Sequence, residues 1–131
     1  MFKPLDSISV DAGNVLKGLT IESGGFLGFG ELYFSYILEG QIKAWKKHNV
    51  AICQILVPMG EVEFRFLDSN LECYKSIVIG ESNYGCLTIP PGNWFGFSGL
   101  GRVRSLVVNI STIVHDPNEC DHINFKSRAW D

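Results

Sequence analysis

A chain of 131 residues has room for one domain and one hydrophobic core. Hydrophobic residues make up 46% and charged residues 19%, a balance that excludes a disordered chain. The formal net charge of -3, with 11 Lys and Arg scattered apart from a cluster at Lys43, Lys46 and Lys47, leaves no electrostatic footprint for nucleic acid. In chain order, residues 8–19 and 32–38 read as extended segments flanked by glycine. Residues 61–68 alternate strictly, with Val62, Phe64 and Phe66 on one face and Glu61, Glu63 and Arg65 on the other, the period of a half-buried strand. Ser69 and Asn70 turn the chain, and residues 71–79 return as the hairpin partner. A polar loop over 80–85 leads to a short apolar strand over 86–89, stopped by Pro90 and Pro91, which cannot donate to a sheet ladder. Residues 102–110 form another apolar run rich in valine, and the tail beyond Asp116-Pro117 has space for one helical turn.

No amphipathic helix of useful length emerges, so many short strands between turn signals predict a single all-β domain over residues 1–131, a sandwich or barrel. The opening residues show no basic segment followed by an apolar run, so no signal peptide is expected. No stretch approaches the roughly 18 apolar residues of a membrane span, so no membrane partner is expected either. Cys53, Cys73, Cys86 and Cys120 are widely spaced and never form C-x-x-C, which predicts reduced thiols, mostly packed in the core, in a cytoplasmic protein.

Two segments carry the specific signal: GQIKAWKKHNVAICQILVPMG over 40–60 and GCLTIPPGNWFGF over 85–97. Together they resemble the two motifs of the cupin superfamily. Gly40, Lys46, His48, Cys53 and Gly60 fall at the first motif's glycine, two histidines, glutamate and closing glycine; Pro90, Pro91 and Gly92 followed by Phe95 fall on the second. The resemblance implies a cupin-type β-barrel, that is, a double-stranded β-helix or jelly roll. Metal-binding cupins ligate through the motif histidines and glutamate, and only His48 of that set is present. Lys46 cannot ligate while protonated and Phe95 cannot ligate at all, so neither metal nor other cofactor is expected.

Within the superfamily the chain is similar to the metal-free dTDP-4-dehydrorhamnose 3,5-epimerases and the shorter dTDP-sugar 3,4-ketoisomerases. The R-G-x-H of the epimerases falls on Lys43, Ala44, Trp45 and Lys46. Their P-x-G-x-x-H-G-F falls on residues 90–97, their Q-x-N-x-S on Glu31, Tyr33 and Ser35, and a D-P-x-x-E-like stretch on Asp116, Pro117 and approximately Glu119. The departures lie at the chemistry. The base histidine is replaced by Lys46, the acid tyrosine by Asn109 and an assisting lysine by Cys53, while the acidic partner of the base, expected near Lys126, finds no match.

Several readings follow. The first is an isomerase acting on a nucleotide-linked 4-keto-deoxy sugar by proton transfer beside the ketone, with Lys46 or His48 as the base. Desolvation lowers a lysine's proton affinity, and imidazole suits proton transfer near neutrality. On a regular strand Ala44, Lys46 and His48 share one face, which in cupins looks into the barrel. The second is a non-catalytic module that holds a sugar or sugar nucleotide, with Trp45 and Trp94 as stacking surfaces and Lys43, Lys47 and Arg65 toward phosphate; Glu31, Ser35 and Asn109 complete the expected binding set. Each of these residues also has an ordinary structural use, in the core, at an interface or as a solvated charge, and a structural or regulatory protein with a degenerate pocket stays open. The resemblance also implies a homodimer.

Overall fold

The computed structural model describes residues 1–22, 26–101, 103–124 and 130. Its strands are β1 (Phe2–Pro4), β2 (Ser7–Ile8), β3 (Val15–Leu16), β4 (Glu31–Leu38), β5 (Ile42–His48), β6 (Cys53–Met59), β7 (Glu61–Leu67), β8 (Cys73–Gly80), β9 (Gly85–Ile89), β10 (Trp94–Leu100), β11 (Arg104–Ser111) and β12 (Cys120–His122). One five-stranded sheet runs β1-β9-β6-β11-β4, a second runs β12-β5-β10-β7-β8, and β2 and β3 make a small separate hairpin. The two large sheets hold the core between them, the all-β jelly-roll arrangement of a cupin, without closing into a continuous barrel. No helix among the described residues is long and apolar enough to cross a membrane.

The inward residues dictate this arrangement. Val62, Phe64 and Phe66 of β7 are fully buried and meet Ile37, Ile55, Val57, Leu87, Ile89 and Val107 from the opposite sheet. Ring contacts tie the second sheet internally, Phe64 to Phe97 at 5.2 Å between centroids and Phe66 to Phe95 at 6.4 Å. Burying each such side chain contributes about 1.5–3 kcal/mol. Strand β6 is apolar almost throughout because it is flanked by β11 and β9 and covered on both faces. Gly60 turns β6 into β7 at φ +88°, and a Cβ there would stand 2.1 Å from Ser105 Oγ, so only glycine fits.

Three segments differ from the sequence expectation. Of residues 8–19 only the β2–β3 hairpin is strand, because little of that stretch is buried against the core. The valine-rich run is β11, which starts at Arg104; Arg102 lies outside the described residues. The tail makes a turn near Pro117 and then β12, not a helical turn, because β5 offers a free edge for Cys120, Asp121 and His122 to pair with His48, Lys47 and Lys46.

Candidate active site

Strand β5 departs from regular alternation, and that departure builds one wall of the site. Lys46 lies opposite Phe95 and Lys43 opposite Phe97, so three steps along β5 match two along β10. The surplus residue is a bulge at Ala44–Trp45. Phe95 and Phe97 belong to the same face, so the bulge brings Lys43 round to the face of Lys46. The Ala44 methyl packs closely on Gly96, which leaves no room there for a side chain. Lys43 therefore joins Lys46 on the face toward the cavity, a position the expected set of Ala44, Lys46 and His48 did not include, and Ala44 also borders the cavity.

A cavity of about 240 Å³ lies between the sheets at this point. One wall carries Lys43, Lys46, Phe95, Phe97 and, from β12, His122. The facing wall carries Tyr33 and Ser35 of β4 and Val107 and Asn109 of β11, with Ile55 between. Lys46 Nζ lies 6.0 Å from the centroid of the Phe95 ring. Lys43 Nζ donates to Tyr36 O at 2.6 Å and Ser35 Oγ at 3.0 Å, joining the two sheets at the exposed rim. Asn109 and Tyr33 sit opposite each other in register, and Asn109 Nδ2 donates to Tyr33 Oη at 2.8 Å. Burial and the neighbouring Cys53 push the Tyr33 phenol up to about 12 against the opposing pull of the Asn109 N–H, so it stays a hydroxyl donor at neutral pH.

His48 occupies the next inward position and packs against Phe95 at 6.3 Å between centroids, outside the cavity lining. Its Nδ1–H donates to Glu119 Oε1 at 2.8 Å. Glu119 Oε2 accepts from the backbone N–H groups of Asn49, Val50 and Ala51 at 3.0, 2.8 and 2.8 Å. Burial alone would raise this carboxylate, but the Ala51 and Val50 amides and the His48 ring outweigh it and hold the group at about 2. Glu119 is thus an acidic partner for the inward histidine, a role with no match around Lys126, which lies outside the described residues. His48, Glu119 and Cys120 place donor atoms within 4.8 Å of one another. Both carboxylate oxygens are already engaged, however, and burial raises the Cys120 thiol, so the trio is a hydrogen-bonded pair with a thiol beside it and a poor fit to a metal ion.

Of the residues expected from sequence, Lys43, Trp45, Lys46, Ser35 and Asn109 border the cavity. The Trp45 indole itself is buried and stacks on Trp130 at 5.2 Å, and Arg65 lies over Trp130 while bonded to Glu63. Trp94 borders a separate hollow beside Lys47, and Glu31 accepts from the His115 backbone N–H at 2.7 Å. Two cavity residues escaped the sequence reading as site groups, Tyr33 and His122. The first was open to view, since Glu31, Tyr33, Ser35 and Ile37 alternate on one face of β4. The second depended on recognising β12.

No family model matches the chain. A solved structure of a dTDP-sugar isomerase from Desulfovibrio desulfuricans is 32% identical, with a TM-score of 0.88, covering 95% of this chain and 83% of that one. A probable low-salt glycan biosynthesis epimerase of Haloferax volcanii is 28% identical over 95 residues, 68% of this chain; the match spans only 61% of that protein's own length. The dTDP-6-deoxy-D-glucose-3,5-epimerase of Legionella pneumophila, solved with dTDP-4-keto-L-rhamnose, has a TM-score of 0.77 at 16% identity, covering 93% of this chain and 71% of that one, and so shares the fold.

Replacing Glu119 by Gln is expected to lower the unfolding free energy by about 1–3 kcal/mol, since the amide keeps one acceptor oxygen and turns an N–H toward either the three backbone donors or His48. The sign of the pH dependence follows from the depressed carboxylate. Its stabilisation is present above its ordinary 4.5 and fades as pH falls toward 2. Urea melts at pH 7 and pH 3 check this: the gap between wild type and Glu119→Gln narrows at the lower pH, and a gap that stays constant contradicts it.

Proposed function

The chain belongs to the cupin-fold family of dTDP-sugar isomerases, and from that membership we propose that its cavity takes a nucleotide-linked 4-keto-deoxy sugar and moves a proton on the carbon beside the ketone. The observation that supports this most is the pairing of walls. Lys46 and His122, two groups able to exchange a proton, face Tyr33, a half-buried hydroxyl donor, across an apolar space. In the proposed step Lys46 or His122 accepts the proton of the C–H bond. The freed electron pair enters the carbon–carbon bond toward the ketone, and the carbonyl oxygen takes the charge against the Tyr33 O–H. Return of a proton to the same carbon from the opposite face inverts it. Return to the former ketone carbon, with the neighbouring hydroxyl's hydrogen passing to the former carbonyl oxygen, shifts the ketone by one position. The atoms balance without an oxidant or a reductant.

Lys43 at the rim is positioned for the diphosphate, with Ser35 beside it. His48 supports the wall through Glu119 from outside the cavity lining. The cytoplasm, where free thiols stay reduced, is the proposed location, and Cys53, Cys73, Cys86 and Cys120 are all free. A homodimer is proposed through the outer face of β4 and β11. There Leu32, Phe34, Tyr36 and Leu38 are 42%, 65%, 51% and 55% exposed and lie in register with Ile110, Val108, Leu106 and Arg104. A run of that apolarity on an edge strand is costly to leave in water. Sedimentation equilibrium is expected to show a dimer that Phe34→Glu converts to monomer; a monomeric wild type refutes it.

Incubation with dTDP-4-keto-6-deoxyglucose in deuterated water, followed by NMR, tests the chemistry. Exchange beside the ketone is expected, falling about 100-fold or more in Lys46→Ala or His122→Gln, whichever residue is the base. Wild-type rates in both variants contradict the assignment. Binding without any exchange in the wild type turns the protein into a non-catalytic holder of the sugar nucleotide.

A further inference from the structure

The hydrogen-bonding capacity of the wall opposite Lys46 is incomplete in a specific way. Asn109 is 5% exposed, and its Oδ1 is buried with no hydrogen-bond partner among the described residues. The N–H edge of the amide faces Tyr33 and the Cys53 thiol, so the oxygen is the free end. Tyr33 Oη accepts the amide hydrogen and keeps its own O–H available for another partner. Side by side, this wall therefore offers one donor, the Tyr33 hydroxyl, and one unfilled acceptor, Asn109 Oδ1. Buried acceptors are normally satisfied, and Asn109 lines the cavity, so a ligand hydroxyl that reaches its shielded Oδ1 supplies the missing donor.

We propose that Tyr33 and Asn109 together select an α-hydroxy ketone and confine proton exchange to the carbon that bears the hydroxyl. The inference rests on the reading that this cavity takes a 4-keto sugar. The ketone oxygen accepts from Tyr33, and the hydroxyl on the neighbouring carbon donates to Asn109 Oδ1. In a 4-keto-6-deoxy sugar the hydroxyl-bearing neighbour of the ketone is C3, whereas C5 bears a hydrogen, a methyl group and the ring oxygen, and has no hydroxyl to donate. The C3 carbon is thereby held at this wall, with its hydrogen toward Lys46 and His122. The C3–H proton passes to the base, its electron pair forms the C3–C4 double bond, and the carbonyl electrons move to the oxygen held by Tyr33. The proton then returns to C3 with the ketone restored at C4 or, as the O3 hydrogen passes to O4, returns to C4 with the ketone now at C3.

The test compares two probes, dTDP-4-keto-6-deoxyglucose and its 3-deoxy analogue, by calorimetry, and follows exchange of the first in deuterated water at C3 and C5 separately. The wild type is expected to exchange C3 at least about tenfold faster than C5 and to bind the 3-deoxy analogue at least about tenfold more weakly. Asn109→Leu is expected to erase that discrimination, while Tyr33→Phe retains it and slows exchange. If Asn109→Leu does not fold, the two wild-type comparisons decide alone. Equal exchange at C3 and C5, or equal affinity for the two probes, overturns the inference and leaves the 4-keto-sugar reading standing. Absence of both binding and exchange refutes that reading, and the inference with it.

Discussion

A single buried carboxylate organises the site end of this molecule. Glu119 accepts three backbone N–H groups from the turn between β5 and β6 and a fourth hydrogen bond from His48. The interaction spans about 70 residues of chain, so it fixes the C-terminal segment to the middle of the sequence. The anchor sets β12 in register along the edge of β5, which places His122 directly opposite Lys46. Backbone pairing with β5, the Lys47–Asp121 ion pair at 3.4 Å and the bond from Asn49 Nδ2 to Asp121 reinforce that register. A carboxylate in such a nest is strongly held because its donors are rigid and already oriented.

The second organising feature is the bulge on β5. A regular strand would have turned Lys43 to the outer face. The surplus residue instead sets two lysines on the inner face, while the buried Trp45 indole stacks on Trp130. The cavity acquires cationic groups on one side and a phenol–amide pair on the other, with apolar side chains between them. In such a space a charge developing on a substrate oxygen is felt more strongly than in water, and fixed donors stabilise it without reorganising.

How much of this was legible in the residues depended on range. The alternation of β7, the proline stop after β9 and the two motif segments all express local periodicity or turn chemistry, and they led to the jelly roll. The bulge is invisible to periodicity because it depends on the register with β10. The segment Cys120–His122 carries too little apolar character to announce a strand, since pairing with β5 rather than burial holds it. Glu119 was aligned only loosely with a D-P-x-x-E-like stretch, and its partners lie in a distant turn. Tyr33 stood on a readable inward face of β4, but its role emerged only once Asn109 was found opposite it.

Membership of a dTDP-sugar isomerase family and an internal cavity with complementary walls lead to one claim, that the sugar nucleotide sits between Lys46–His122 and Tyr33–Asn109. Amide chemical-shift mapping of the labelled protein during titration with dTDP-4-keto-6-deoxyglucose tests it most directly. The account predicts saturable shifts concentrated on β4, β5, β11 and β12 around those four residues. Shifts concentrated instead at the hollow of Lys47, Tyr74 and Trp94, or none at all, would contradict it.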